Sequence, residues 1–337
     1  MVLCHKKEVR ILEHTIYLQT GSTDPAYNLA FEEYVLNNRT EGNILILWQN
    51  ANAVIIGRNQ NTAQEIDSAF VAAHGIRVVR RNTGGGAVYH DMGNLNYSFI
   101  TDDRDDRKGF AEPVVQALKG LGLDACASGR NDILVNGLKV SGTAQQITKG
   151  RILHHGTLLF DSDSSMISGA LTPDPNKFKS KSVKSVRSRV GNIRAQLQED
   201  MTLSQFWRYL EQALADSLVF SSLTELEIQQ VQQLKAAKYD QWDWNYGRSP
   251  AYEKRSKGYF TGGGLEVLLN VSGGKISGIR IFGDFLALRP VAILEEGLIG
   301  CLCREDALQE ALAQLPVADC LGGITQENLI QLILDSN

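Results

Sequence analysis

Two short stretches carry residue types that could do chemistry together. The first, RVVRRNTGGGAVYHDMGNLNYSFI from Arg77 to Ile100, sets two arginines ahead of three consecutive glycines. Ordering three glycines in a row is entropically costly. Bare backbone is therefore needed at Gly84, Gly85 and Gly86, where something must come close. The N–H groups of a tight turn can form an anion-binding concavity. A P-loop or a dinucleotide fingerprint is excluded. The turn lies between two strand-like runs rather than between a strand and a helix, the GxGxxG spacing is missing, and no Gly-Lys-Ser/Thr follows. Arg80 and Arg81 point to opposite faces of a strand, so at most one of them faces the same ligand. The bland alternative is a structural glycine bulge beside a surface arginine pair.

The second stretch is GRNDILVNGLKVSGTAQ. Asn136 and Gly137 read as a two-residue hairpin turn. Val135 then pairs with Leu138, Leu134 with Lys139, Ile133 with Val140, and Asp132 with Ser141. Residues directly opposite share a face, so Ile133, Val135, Leu138 and Val140 make one apolar face. Asp132, Leu134, Lys139, Ser141 and Thr143 make the other. Asp132 and Lys139 are diagonal neighbours, spaced to grip one ligand from two sides. The lysine suits phosphate or carboxylate oxygens, and the aspartate suits a magnesium ion. A weak ion pair on a solvated sheet face is the alternative.

Other polar groups have less to offer. His154 and His155 are adjacent on a strand and point opposite ways, which suits one structural and one site-lining ring better than a shared metal. The five cysteines have no zinc or disulfide spacing, which fits a reducing, cytoplasmic setting. The segment from Lys177 to Arg194 has seven basic residues and no acidic one. It reads as a solvated charge run or as a lid over an anionic ligand.

The elements that must position these residues follow from capping and periodicity. Asp24 caps a helix beginning at Pro25, with Tyr27, Ala30, Phe31, Tyr34 and Val35 on one apolar face. Capping boxes are expected at Thr62/Glu65, Thr202/Gln205 and Thr224/Glu227. ILILWQN, AVIIGRN and HHGTLLFD read as strands. The break at WDWNYGRSP separates a first domain, 1–246, from a second, 250–337, whose strand-like LEVLLNV and KISGIRIFG alternate with two helices. The 337 residues suffice for such a pair, and the net charge of −4 argues against a general nucleic-acid binder. No apolar run approaches the roughly 20 residues of a membrane span, and the charged N-terminus is not a secretory signal.

Taken together, RRNTGGGAVYHD, GRNDILVNGLKVSGTAQ, HHGTLLFD, SVRSRVGNI and WDWNYGRSP resemble the lipoate–protein ligases of the long, two-domain kind (the lipoate-protein ligase A family). They occur in the family order and cover most of the chain. The resemblance implies a mixed α/β catalytic domain of the biotin and lipoate ligase type, like class II aminoacyl-tRNA synthetase cores, plus a small α+β C-terminal accessory domain. It implies that lipoate (or octanoate) and ATP, with Mg2+, form an acyl-adenylate and pyrophosphate. The acyl group then passes to a lysine of apo lipoyl domains of 2-oxoacid dehydrogenase complexes or of the glycine-cleavage H protein.

By the same resemblance, Gly84, Gly85, Gly86, Ala87 and Val88 lie along the adenylate, Arg80 is a ligand contact, and Lys139 is the essential lysine. Asn131 and Asp132 bind adenylate or magnesium, Ser141 and His155 line the site, and Ser185, Arg187 and Arg189 belong to a covering loop. Relatives of this layout act as monomers. Two rivals are an ATP-independent lipoyl or octanoyl transferase using Cys126 and a non-catalytic lipoate-binding protein. The arginine-glycine repeat of biotin ligases is absent.

Overall fold

The computed structural model describes residues 15–102, 110–129, 131–171, 190–215, 217–246 and 254–334. Its strands are β1 (Thr15–Gln19), β2 (Asn43–Trp48), β3 (Ala53–Ile56), β4 (Arg77–Arg80), β5 (Val88–His90), β6 (Asn94–Asp102), β7 (Ala125–Ser128), β8 (Asp132–Val135), β9 (Leu138–Thr148), β10 (Arg151–Leu159), β11 (Leu218–Phe220), β12 (Lys254–Phe260), β13 (Gly263–Ser272) and β14 (Lys275–Gly283). The eight-stranded mixed sheet runs in the order β11-β1-β2-β6-β10-β9-β8-β7. A smaller sheet, β4-β3-β5, packs beside it, and β12-β13-β14 form a third. This is the expected mixed α/β architecture with a further α+β unit.

Alternation along the strands divides the large sheet between two cores. Leu45, Leu47, Leu95, Tyr97 and Phe99 face the helices Glu112–Gly120 and Leu203–Ala213. Ile44, Ile46, Trp48 and Ile100 face the helix Pro25–Asn38 and the small sheet. The cavity described below opens on this second side. Residues 265–333 bury a core of their own, in which Leu265, Val267, Leu269, Ile279 and Ile281 of the third sheet meet Leu294, Leu308, Leu329 and Ile333.

Local signals correspond closely to local structure. The Asp24 carboxylate accepts from the N–H groups of Ala26 and Tyr27, and Pro25 opens the helix. Thr202/Gln205 and Thr224/Glu227 form reciprocal capping boxes. Asn136 and Gly137 both have positive φ, 50° and 78°, as a two-residue hairpin turn demands. The box at Thr62/Glu65 does not form. The Thr62 hydroxyl donates instead to the Asn245 carbonyl at 2.6 Å, and the helix there is only Thr62–Glu65. A second helix, Ser68–Ala73, starts afresh on the Asp67 side chain.

One register differs from expectation. A bulge between Ile133 and Leu134 pairs Ile133 with Ser141 and Asp132 with Gly142. The extra residue turns Ser141 inward with Ile133 and Val140, all three fully buried. Ser141 therefore belongs to the core side of the hairpin rather than to the face of Asp132 and Lys139.

Candidate active site

The glycine turn connects β4 to β5 and is held from beneath by Arg81. Its Nη2 donates to the carbonyls of Gly84 (2.6 Å) and Gly86 (2.8 Å), its Nη1 to Ile55 (3.1 Å), and its Nε to the Thr83 hydroxyl (3.0 Å). Burial lowers the Arg81 guanidinium to about 10, with the Glu32 charge acting the other way. It stays charged at neutral pH. A planar donor fork suits this task, because one side chain reaches two carbonyls of the turn and one of β3.

Each glycine has its own reason for lacking a side chain. A Cβ on Gly84 would stand 2.5 Å from the Phe285 carbonyl oxygen and 2.8 Å from the Ala287 nitrogen, in the second domain. Gly85 has φ +89°, and its N–H donates to that same Phe285 carbonyl. A Cβ on Gly86 would meet nothing within 4 Å, and Gly86 borders the cavity. The close approach at Gly84 is thus made by the second domain, whereas Gly86 leaves space.

The cavity has a volume of about 130 Å³. Leu29, Trp48, Ile55, Ala87, Val88 and Ala144 give it apolar walls, and Gly85, Gly86, Asn131, Lys139, Thr143 and His155 also border it. Lys139 and Asp132 form an ion pair at 2.7 Å, with both side chains about one-third exposed (36% and 34%). The bulge places Lys139 over Gly142, whose missing side chain leaves room: a Cβ there would lie 3.4 Å from Nζ. Thr143 donates its N–H to the Asn131 carbonyl at 2.7 Å, fixing the loop ahead of Asp132.

Lys139, Asn131 and Thr143 sit at the β8–β9 end, and Trp48 lies on β2. β10 and β6 intervene. Three interstrand steps correspond to roughly 14 Å. The cavity thus joins a charged end to an apolar end across the strands.

Behind the wall runs a buried polar chain. Ser98 donates to Glu32 Oε1 at 2.5 Å, and Trp48 Nε1 donates to Ser98 at 2.9 Å. His155 Nδ1 lies 2.9 Å from Glu32 Oε1, and His155 Nε2 lies 2.7 Å from the Thr83 hydroxyl. The Nδ1 of His155 is the donor toward the Glu32 carboxyl group, 2.9 and 3.0 Å from its two oxygens. The chain ties the helix Pro25–Asn38, β6, β10 and the glycine turn into one frame. His154 faces the other side of the sheet, where it stacks on Phe110.

Not every expected contact is at the cavity. Arg80 does not border it. Its Nη1 donates to the carbonyls of Gly57 (2.8 Å), Arg58 (3.0 Å) and Gln60 (2.7 Å), its Nη2 to Thr62 (2.7 Å), and its Nε to Trp244 (2.9 Å). Trp244 Nε1 returns a bond to the Arg80 carbonyl at 2.8 Å. The WDWN stretch is therefore a latch on Arg80, and Arg81 is the arginine at the cavity. Ser141 is buried beside Tyr97, away from the cavity. Cys126 is exposed on β7, an edge strand, two interstrand steps or roughly 10 Å from the strand of Lys139. Ser185, Arg187 and Arg189 lie outside the described residues. The segment's end is described: Gly191 donates to the Lys139 carbonyl at 3.0 Å.

Sequence reasoning missed Glu32, Thr83, Trp48 and His90, and of the two arginines it weighed it carried Arg80 rather than Arg81. Asn28 and Glu32, one helical turn apart and interrupting an otherwise apolar surface, were the available signal for the first. Thr83 and His90 had none beyond nearness to the glycines in sequence, and Trp48 had none.

Comparison with known proteins gives the chain's relatives. Residues 24–215 match the model of the lipoyl protein ligase A/B catalytic domain, and residues 249–333 match that of the bacterial lipoate protein ligase C-terminus. The chain is 42% identical over 320 residues to lipoate-protein ligase LplJ of Bacillus subtilis, covering 92% of this chain and 97% of the relative. P. falciparum LipL1, solved in complex with lipoate, superposes with a TM-score of 0.77 at 26% identity, covering 95% of this chain and 99% of that one. A lipoate-protein ligase A bound with ATP gives 0.61 at 29% identity over 70% and 99%. A bipartite ligase from Thermoplasma acidophilum, described with its E2 lipoyl domain, gives 0.62 at 29% over 72% and 99%. With its catalytic-domain match spanning more than half its length, and a relative of this identity matched almost end to end, the chain belongs to the lipoate–protein ligase family.

Proposed function

We propose that the cavity binds lipoate with its carboxylate toward Lys139 and that the enzyme activates it with ATP. The observation that carries this reading is the Lys139–Asp132 pair at the open, charged end of an apolar cavity whose wall is the glycine turn. A lipoate carboxylate oxygen attacks the α-phosphorus of ATP, and the bond to pyrophosphate breaks. Lys139 neutralises charge on the carboxylate and α-phosphate as they approach. An acceptor lysine, after losing a proton, then attacks the acyl carbon, an amide bond forms, and AMP leaves with the former carboxylate oxygen. Positioning and electrostatics suffice, because the mixed anhydride is already activated.

Asp132 fits a share in magnesium binding. Its Oδ1 touches the Lys139 ammonium but makes no aligned hydrogen bond. Among the described residues no group of three or more metal-type side chains exists. That suits an ion held mainly by substrate phosphates, with one carboxylate. When bound, magnesium neutralises phosphate charge. The acceptors in this reading are lipoyl domains of 2-oxoacid dehydrogenase complexes and the glycine-cleavage H protein. The protein works as a cytoplasmic monomer, with its catalytic domain at 1–246 and its accessory domain at 250–337. No helix among the described residues is long and apolar enough to cross a membrane.

Lipoate-dependent exchange of pyrophosphate into ATP, with magnesium and no acceptor, tests the reading. Exchange that needs lipoate and Lys139 is the expected result. A folded protein that lacks exchange but shuttles acyl groups between carrier proteins would overturn it in favour of a Cys126 thioester.

A further inference from the structure

Resting on that reading, the charged end of the cavity holds a second donor with no role so far. Thr157 on β10 borders the cavity and is half-buried. Strand alternation puts its side chain on the face of His155, the cavity side of the sheet. Toward β6 it stands opposite Asn96. Toward β9 its hydroxyl oxygen accepts from the Gly142 N–H at 3.3 Å. Lys139 lies over the same glycine, where a Cβ would be 3.4 Å from its Nζ. The ammonium and the hydroxyl thus flank one bare residue.

The two threonines at this end differ in where their protons go. Thr143 Oγ1 donates to the Asn131 carbonyl at 3.3 Å. The Thr157 oxygen is an acceptor in its one bond, and its own proton has no acceptor among the described residues. A hydroxyl carries one O–H and two lone pairs. With a lone pair anchored to Gly142, the O–H is left for an acceptor that arrives with the ligand.

We propose that the Thr157 O–H holds the acyl carbonyl oxygen and stabilises the oxyanion that forms in the second half-reaction. The carboxylate at Lys139 has two oxygens. One attacks the α-phosphorus and becomes the bridge to AMP. The other stays as the carbonyl oxygen and needs a donor of its own. When the acceptor lysine attacks, a C–N bond forms and the carbonyl π pair moves onto this oxygen. The pair then returns, the C–O bond to AMP breaks, and the surplus proton on nitrogen passes to water. A fixed donor acts most in the step where charge develops beside it. In adenylation the charge develops at phosphorus, which is the place of Lys139.

The test separates the half-reactions. Transfer is followed in single turnovers from synthetic lipoyl-AMP to an apo lipoyl domain of a 2-oxoacid dehydrogenase complex. Adenylation is followed as lipoate-dependent pyrophosphate exchange. Thr157→Val keeps the branched shape and removes the O–H. At saturating acceptor its transfer rate constant is expected to fall at least about tenfold, toward the roughly 10²-fold scale of one lost oxyanion donor. Exchange is expected to fall only about two- to fivefold, because the bond there orients the carboxylate without meeting new charge. Thr157→Ser, which keeps the hydroxyl, is expected to restore most of the transfer rate. Equal losses in both half-reactions would mean that Thr157 only seats Lys139 through Gly142, and would overturn the proposal. An unchanged transfer rate, or a change confined to the KM for the acceptor, would also overturn it. Should Thr157→Val fail to fold, Thr157→Ala is judged by the same split. Thr157-dependent transfer from lipoyl-AMP without any exchange would refute activation by ATP and leave the role of Thr157 standing. Normal exchange with transfer indifferent to Thr157 would refute the role and leave adenylation standing.

Discussion

The N–H of Gly85 donates to the carbonyl of Phe285 at 3.1 Å, so the turn that borders the cavity is also where the second domain is seated. Leu286 completes the contact, its Cδ2 standing 3.2 Å from where a Gly85 side chain would begin. One turn therefore meets ligand space on one side and a protein neighbour on the other. Gly84→Ala must push the 285–287 backbone away, at a cost of about 1–3 kcal/mol. Calorimetry is expected to show a Tm several degrees lower. Gly86→Ala adds a methyl group to open space at an ordinary φ and is expected to leave Tm within about a degree. It is expected to weaken lipoate binding instead. Equal Tm values for the two variants would refute this division of roles.

Lys139→Ala is expected to lower lipoate-dependent exchange at least about 10²-fold, the scale of losing one preorganised charge-stabilising group. Thermal stability is expected to change little, since the Asp132 pair is about one-third exposed and such pairs contribute at most about 1 kcal/mol. Near-normal exchange by a folded Lys139→Ala protein would remove the residue from the chemistry.

Cys126→Ala is expected to retain full ligation. The thiol is exposed on an edge strand and does not border the cavity. Loss of acyl transfer to an acceptor, with exchange intact, would mean that a thioester forms after all.

Acid should destabilise the protein partly through His90. Burial, with help from Arg81 and His155, pushes its folded pKa down to about 3 from the usual 6.5. Between those values the unfolded chain binds a proton that the folded protein does not. Stability therefore rises with pH across the window and is lost as pH falls from 6.5 toward 3. The slope from this group approaches about 1.4 kcal/mol per pH unit. Unfolding free energies of the unmodified protein and His90→Gln, measured from about pH 7 to about pH 4, are expected to converge on acidification. Parallel curves would show that His90 is protonated while folded.

The arginine pair shows where sequence reasoning stopped. Alternation along the strand correctly limited the cavity to one of the two. It could not choose between them, because the choice depends on partners far away in the chain. Arg80 meets Trp244 and Asn245, more than 160 positions on, whereas Arg81 folds back on its own turn. The hairpin is a second example. Asn136-Gly137 specified the turn, and pattern brought Asp132 and Lys139 together, where they form an ion pair. The bulge moved Ser141 to the core, since a bulge answers to packing on both faces of the strand.

What the sequence by itself determined is local: the Asp24 cap, the Asn136-Gly137 turn, two of three capping boxes, and the motifs that mark the family. These are set by bonds among residues a few positions apart, which composition and spacing encode directly. Only the tertiary structure decided which glycine meets the second domain, which arginine supports the turn, and that Glu32, Thr83 and His155 form one buried chain. Those outcomes depend on groups distant in sequence competing for the same few buried partners, and that competition is resolved only when the chain is packed.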